Sequence, residues 1–438
     1  MALFREFHNG SLPLHSLNFG TIILLPKKSE AKQILQYRPI CLLNVSFKIF
    51  TKIATNQITE IAKRIIRPTQ TAFLPRRNIM ESALILHETI HELHTKKQDG
   101  IIFKIDFEKA YDKVRWDFLH QTLRMKGFLE TWCQWIKQYT QLDNVGVKIN
   151  DQQGAYFQTR KALRQGDPLS PILFNIVVDM FAVLIARTKA ENQIEGVIPH
   201  LVDDGLSILQ YADDTVIFLS HDTDKAINMK FLLCVFEQLS GLKINYHKSE
   251  IYCFGKAKDA EMEYSHLFRC RTGEFPFRYL GIPMHFRKLS NRDWKIIEER
   301  FEKKLAGWKG KLLSVGGRLV LINLVLSSLP MFMMSFFQVP KGVLKKLDYY
   351  RSRFYWKNDQ HKKKYRFLKW EIICQPKQQG GLGLQNLEIQ NTCLLSKWLY
   401  KLCNEEGMWQ SLLRNKYLRN KTLGDVLRKL RIHTSGRG

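Results

Sequence analysis

Three acidic residues carry the most chemical information in this 438-residue chain. Asp106 closes a run rich in β-branched residues, Ile101-Ile102-Phe103-Lys104-Ile105, that reads as a short strand. Asp213 and Asp214 lie in Tyr211-Ala212-Asp213-Asp214, between two further strand-like runs, 206–210 and 215–219. That layout predicts a hairpin with acidic residues at its bend. Taken singly, an Asp-Asp pair between strands reads as turn chemistry, and an Asp after a strand as a helix cap. Taken together they read differently. If the strands are neighbours, the carboxylates converge on one sheet edge, where they stay ionised only if protons or cations compensate. Oxygen-only ligation selects hard cations, Mg2+ or Mn2+, which also bind phosphate oxygens. Two such ions side by side serve in-line phosphoryl transfer, one activating the attacking hydroxyl and one stabilising the departing pyrophosphate.

The elements that must position these groups are legible around them. Residues 21–25 form an apolar strand closed by Pro26-Lys27-Lys28, and 42–66 have helical spacing in Phe47, Phe50, Ile53, Ala54, Ile58 and Ile61. A loop, TQTAFLPRRN, leads to a second helix over 80–93. A helix is expected over 112–125, after Asp106. Between strand and hairpin, RQGDPLSPILFNIVVDMFAVLI is a Gly-Pro loop opening a strongly apolar helix. Strands and helices in this order predict an α+β domain with helices on one face of an antiparallel sheet. Past Gly281 the chain becomes mostly helical. Residues 319–339 are long enough to cross a membrane, but Asn323, Ser327, Ser328, Pro330 and Gln338 interrupt them, so they read as two buried helical pieces broken at Pro330 and no membrane partner is expected.

Charge narrows the partners. The chain carries 68 Lys+Arg against 41 Asp+Glu, a net +27. From Pro283 onward there are 32 Lys+Arg and 11 Asp+Glu, so this last third supplies 21 of that surplus. A polyanion fits such a surface, and a small neutral ligand alone does not explain it. The eight cysteines form no CxxC pair, which disfavours structural zinc and suits free thiols in a reducing, intracellular compartment. The opening MALFREFHNG lacks the apolar run of a signal peptide.

The segments IIFKIDFEKAYDKVRWDFL, LRQGDPLSPILFN, LQYADDTVIFL, GLKINYHKSEI and FRYLGIPM resemble, in order, five palm motifs of a reverse transcriptase. The wording is similar to non-LTR (LINE-type) retrotransposons, plant copies in particular. The likeness extends upstream through ILLPKK, YRPICLLNVSFKIFTKIATNQI and QTAFLPRRNI, and downstream through WKGKLLSVGGRLVLINLVLSSLPMF and PKQQGGLGLQNL. It implies a right-hand polymerase: fingers over 1–100, a palm with an antiparallel sheet over 101–282, a helical thumb over 283–350, and a basic helical C-terminal region over 351–438. It also implies roles. Asp106, Asp213 and Asp214 would be the metal-binding catalytic carboxylates, with Phe107 adding a backbone carbonyl. Tyr111 would be the gate against a ribose 2′-hydroxyl. Lys27, Lys28 and Arg38 would hold the incoming triphosphate, with Gln165 and Gly166 lying against nucleotide and template. Lys248 would protonate the departing pyrophosphate. Arg76 and Arg77 would touch template phosphates, although the family has Gly-Arg where this chain reads Pro75-Arg76-Arg77. Arg351, Arg353 and Lys362-Lys363-Lys364 would grip the RNA backbone.

The resemblance thus implies an RNA-directed DNA polymerase using two Mg2+ ions, with an RNA template, a DNA primer and deoxynucleoside triphosphates as partners, acting in the nucleus. With no endonuclease before the fingers and no ribonuclease H set at the end, the sequence reads as a fragment or a degenerate genomic copy whose polymerase motifs are intact. Two rivals remain open. A catalytically inactive, maturase-like RNA-binding relic would keep the charge and lose the chemistry. A metal-dependent nuclease would use the carboxylates but leave Tyr111 and the triphosphate cations without a role.

Overall fold

The apolar runs do become strands, and strands remote in sequence pair with one another. A computed structural model describes residues 2–425 apart from 10, 13, 142, 309–312, 357–367, 420 and 422–423. The chain divides into two units, Met1–Glu274 with Ser411–Gly438, and Phe275–Gln410.

In the first unit α1 (Ala2–His8) precedes a hairpin of β1 (Phe19–Pro26) and β2 (Tyr37–Leu43). Helices α2 (Val45–Ile65) and α3 (Ile79–Thr95) lead to β3 (Gly100–Ile105). There follow α4 (Ala110–Lys113), α5 (Trp116–Met125), α6 (Glu130–Thr140), β4 (Asn144–Ile149) and the short β5 (Gln152–Gln153). The apolar α7 (Ser170–Ala190) then precedes β6 (Ile208–Tyr211), β7 (Asp214–Leu219), α8 (Thr223–Ser240), β8 (Glu250–Phe254), α9 (Glu261–Phe268) and β9 (Arg271–Thr272).

Two sheets result, in the orders β2-β1-β4-β5 and β6-β7-β3-β8-β9. Most neighbours are antiparallel, as expected, but β1/β4 and β8/β9 run parallel, so both sheets are mixed. One core, from Phe7 to Cys270, joins the segments expected as fingers and palm.

Three expectations need correction. Leu42 and Leu43 belong to β2 rather than to the helix. Asn44 ends the strand and caps α2, its Oδ1 accepting from Ser46 N at 2.9 Å. The helix expected over 112–125 is broken into α4 and α5, because Val114 O accepts from Ala162 N and Arg115 N donates to Ser240 O. The sheet is not covered on one face only. Ile101, Ile102 and Phe103 are all fully buried, so β3 has both faces covered. An unbroken apolar run, rather than alternation, is the sequence mark of such a strand. Helix α7 is long and apolar enough to span a membrane, yet it is mostly buried in the protein, where it serves as the core helix.

The second unit opens with a hairpin of β10 (Phe277–Tyr279) and β11 (Ile282–Met284) and is helical thereafter. Its helices are α10 (Asn291–Gly307), α11 (Val315–Leu321), α12 (Met331–Met334), α13 (Lys341–Tyr355), α14 (Trp370–Ile373) and α15 (Leu387–Asn404). The stretch over 319–339 is two helical pieces, α11 extended by a π-helical turn to Leu326, and α12 starting after Pro330. Trp294, Phe301, Ile322, Leu326 and Leu347 are buried in this unit's own core. The thumb boundary expected at residue 350 falls inside α13.

Candidate active site

Strand β3 delivers Asp106 to one edge of the five-stranded sheet. It lies between β7 and β8, with Ile105 opposite Thr215 and Lys104 opposite Glu250. One step beyond Ile105, the same register brings Asp106 level with Asp214. The pair Tyr211↔Asp214 closes the β6–β7 hairpin, leaving Ala212-Asp213 as a two-residue turn. Segments more than a hundred residues apart thus put their carboxylates at one edge.

The backbone of Asp106 is clamped from a third direction. Its N–H donates to Ser249 Oγ at 3.1 Å, and its carbonyl accepts from Asn245 N at 2.7 Å. Ser249 Oγ in turn donates to Asn245 O at 2.9 Å. Phe107, next along, is buried and bridges to Ile244. The motif GLKINYHKSEI directed attention to Lys248; Asn245 and Ser249, which hold the aspartate, were missed.

The electrostatics bear the mark of crowding. Burial raises the carboxyl of Asp106 above its usual range; the Lys248 charge pulls it back and Asp213 pushes it up further. Asp214 keeps a solvent-exposed side, yet burial by the surrounding protein, with Asp213 and Asp106 nearby, lifts its carboxyl to about 6. Tyr111 is raised by burial and then by Asp213. Asp106, Asp213, Asp214, Tyr111, Lys104 and Lys248 therefore share one local field. Among the described residues no group of three or more His, Cys, Asp or Glu side chains is already arranged as a metal site. The donor set nonetheless fits a hard cation: all oxygen and mutually repelling.

The floor beside the carboxylates is aromatic. The Tyr111 ring stacks on Phe174 of α7 at 4.5 Å and 11°. Its carbonyl accepts from Leu163 N at 2.8 Å, which brings the 163–168 loop alongside. Gln165 O accepts from Cys41 N at 2.8 Å. Gly166 has φ +115°, and a Cβ there would lie 2.6 Å from Cys41 O, so only glycine fits this approach. Burial raises the carboxyl of Asp112, while the Lys109 charge, a bond from the Gln165 side chain and the Lys27 charge oppose the rise. Lys27 and Gln165 are in this way joined to the neighbourhood of Tyr111. Lys28 and Arg38 are solvent-exposed on the β1–β2 hairpin.

The profile of the reverse transcriptase (RNA-dependent DNA polymerase) family matches residues 25–284, more than half of the chain and all of these groups. The chain belongs to the reverse transcriptase family. A 149 kDa protein of transposon TX1 from Xenopus laevis is 27% identical over 330 residues, covering 74% of this chain and 24% of that protein. The Pol polyprotein of a type-2 retrotransposable element of Drosophila melanogaster is 25% identical over 242 residues, covering 55% of this chain and 22% of the polyprotein. The reverse transcriptase is thus of the non-LTR retrotransposon kind, and it spans about a quarter of the length of these relatives. Arabidopsis thaliana proteins are also among its relatives. A telomerase from Candida tropicalis, solved in complex with a fragment of telomeric RNA, aligns with a TM-score of 0.45 at 13% identity, over 94% of this chain and 64% of that one. Reverse transcriptases typically use Mg2+ and bind nucleic acid, in agreement with the acidic edge and the basic surplus.

Some of the expected nucleic-acid contacts are placed elsewhere. Arg77 is folded inward, its guanidinium donating to the carbonyls of Arg67, Gln70, Lys63 and Ile66 at 2.6–3.2 Å, so it braces its own loop. Arg76 is exposed with φ +68°. Arg351 is fully buried, donating to Asp348 Oδ1 and to Gln385 O, both at 2.7 Å, which removes it as a grip on RNA. Arg353 is half-buried, and Lys362, Lys363 and Lys364 lie outside the described residues.

An internal ion pair and an inward-turned arginine escaped the sequence. Lys126 Nζ meets Asp179 Oδ2 at 2.5 Å, and Asp179 Oδ1 accepts from Arg67 N at 2.8 Å. The signal was there: Asp179 is the one carboxylate of α7, amid the apolar run Ile176-Val177-Val178 and Met180-Phe181-Ala182. Arg164 donates to Asn18 Oδ1 and to Tyr139 O, and lies over the Phe47 ring at 4.9 Å. Its charge also opposes the rise that burial imposes on the carboxyl of Asp167.

Proposed function

We propose that this chain is an RNA-directed DNA polymerase that adds deoxynucleotides to a primer 3′-hydroxyl, in a right-hand arrangement with the second unit serving as thumb. The observation that carries the reading is the meeting of Asp106 with the Asp213-Asp214 turn at one sheet edge, beside Tyr111. Asp106, Asp213, Asp214 and the carbonyl of Phe107 would hold two Mg2+ ions. When bound, Mg2+ supplies activation of the hydroxyl and charge stabilisation of the pyrophosphate.

The chain's own groups do the rest. Tyr111, braced on Phe174, occupies the space a ribose 2′-hydroxyl needs and so selects deoxynucleotides. Lys27, Lys28 and Arg38 bind triphosphate oxygens, arginine through a bidentate fork and lysine as a point charge. Lys248 donates a proton to the leaving pyrophosphate. The basic residues of the second unit hold template and primer by salt-dependent phosphate contacts, without reading sequence. The site of action is nuclear.

Primer extension on a homopolymer RNA template tests the reading. Extension should require a divalent cation, prefer dNTP over rNTP, and vanish in Asp213→Asn. Unchanged extension in that variant refutes the assignment, and RNA binding without extension under any metal selects the inactive relic.

A further inference from the structure

The turn that carries Asp213 is held from beneath by a residue of the TQTAFLPRRN loop. Gln70 is fully buried. Its Oε1 accepts from Ala212 N at 3.0 Å and from Ala72 N at 3.0 Å, and its Nε2 donates to Ala212 O at 3.4 Å. A single carboxamide therefore engages both polar groups of Ala212, the residue directly before Asp213.

Ala212 needs that support. Its φ of +53° lies in the left-handed region, at a turn position where glycine is usual. A non-glycine residue there is strained and persists only where its surroundings over-determine it. Here the surroundings do. Gln210 N donates to Thr69 O at 2.8 Å and Thr71 N to Gln210 O at 3.0 Å, so residues 69–71 run parallel along β6, at the margin of its sheet. From the other side, Gln210 Nε2 donates to Val178 O of α7 at 3.2 Å. A leucine could fill the volume beneath the turn; only an amide or similar group can fix the direction of a peptide.

We propose that Gln70 is a positioning residue: by fixing the Ala212 peptide it sets where the Asp213 carboxylate stands. The proposal rests on the polymerase reading above for its effect on catalysis, while its structural half can be tested without activity. Gln70→Leu deletes three hydrogen bonds and keeps the bulk. The measurements are steady-state primer extension and amide hydrogen exchange at Ala212. The expected result is a fall in kcat of about ten- to a hundredfold, with KM for dNTP within about twofold, since small misplacements act on the chemical step. The Ala212 amide should lose protection while the amides of β3 keep theirs. Adding Ala212→Gly, which accepts the left-handed conformation at little cost, should restore part of kcat.

Lys416→Met provides the contrast: it removes a cation from Glu88 and Glu92 on α3, outside the 67–71 run and α7, and should lower stability while leaving kcat per folded molecule intact. If Gln70→Leu does not fold, Gln70→Asn, one methylene short, should show the same pattern more weakly. Unchanged kcat in Gln70→Leu overturns the proposal. So does a loss that Ala212→Gly fails to relieve, or an Ala212 amide that stays protected. If the wild-type protein extends no primer, the polymerase reading fails by itself. Ala212 exchange then decides alone, with lost protection supporting the proposal and retained protection overturning it.

Discussion

Two acidic clusters in the first unit are shifted in opposite directions. At the sheet edge, burial and like charges push Asp214 up to about 6. On α3, Glu92 is also buried and Glu88 half-buried, yet both are lowered, Glu88 to about 2. Burial alone would raise these glutamates too. The difference lies in their partners: a bond from His87 to Glu88 and from His200 to Glu92, and then the charge of Lys416. Lys416, from the segment that returns to this unit, sits 2.9 Å from Glu88 Oε2 and 3.3 Å from Glu92 Oε2, and Tyr417 donates to Glu88 at 2.7 Å. One cluster is complete within the chain and holds the fold. At the other, burial and mutual repulsion together outweigh the Lys104 and Lys248 charges, as the proposed metal site would have it. Residue type alone does not separate a structural acid from a catalytic one; the sign of the imbalance does.

The largest expected effect breaks the contrast at the edge. Asp213→Asn should reduce extension by at least about a thousandfold, since metal-borne charge stabilisation is worth several kcal/mol. Its melting temperature should hold or rise, because one repelling charge is gone. Lys416→Met should do the reverse. Taking the ammonium from Glu88 and Glu92 is expected to cost about 2–4 kcal/mol in denaturant unfolding, with kcat per folded molecule unchanged.

A pH series sharpens the comparison. Glu88 is depressed from 4.5, so its contribution to stability is fully present above about pH 4.5 and is lost as pH falls toward 2. Asp214 is raised from 3.8, so its ionisation opposes folding above pH 6, and that penalty fades as pH falls through 6 toward 3.8. Between pH 7 and 5, thermal stabilisation by added Mg2+ should therefore shrink while the clasp on Lys416 is untouched; equal Mg2+ shifts at both pH values would count against it. The smallest effect concerns selectivity. Tyr111→Val should admit ribonucleotides and cost about 1 kcal/mol of stability through the lost stack on Phe174. An unchanged dNTP-to-rNTP ratio would remove the gate.

The acidic edge was readable from sequence because its parts are local: a strand ending in Asp106, and a hairpin bending at Asp213. Gly166 was readable as a close-approach glycine, and its φ and its distance to Cys41 O agree. What escaped was decided by tertiary partners. Nothing in Arg77 or Arg351 says whether a guanidinium meets phosphate or its own chain's carbonyls, and here both turn inward. The break between α4 and α5 carries no proline or glycine; it follows from hydrogen bonds to Ala162 and Ser240, far along the chain. The start of α2 was misread by three residues because Leu42 and Leu43, as apolar as any helix residue, pair with β1 instead.

The run of residues 69–71 along β6 has a further consequence. An uncovered outer strand offers bare amides and carbonyls to any passing polypeptide, a recognised route to sticking and strand exchange. By bordering that margin, the stretch that steadies the bend also insulates the hairpin from other molecules, so loosening it should show first as poorer solubility on warming.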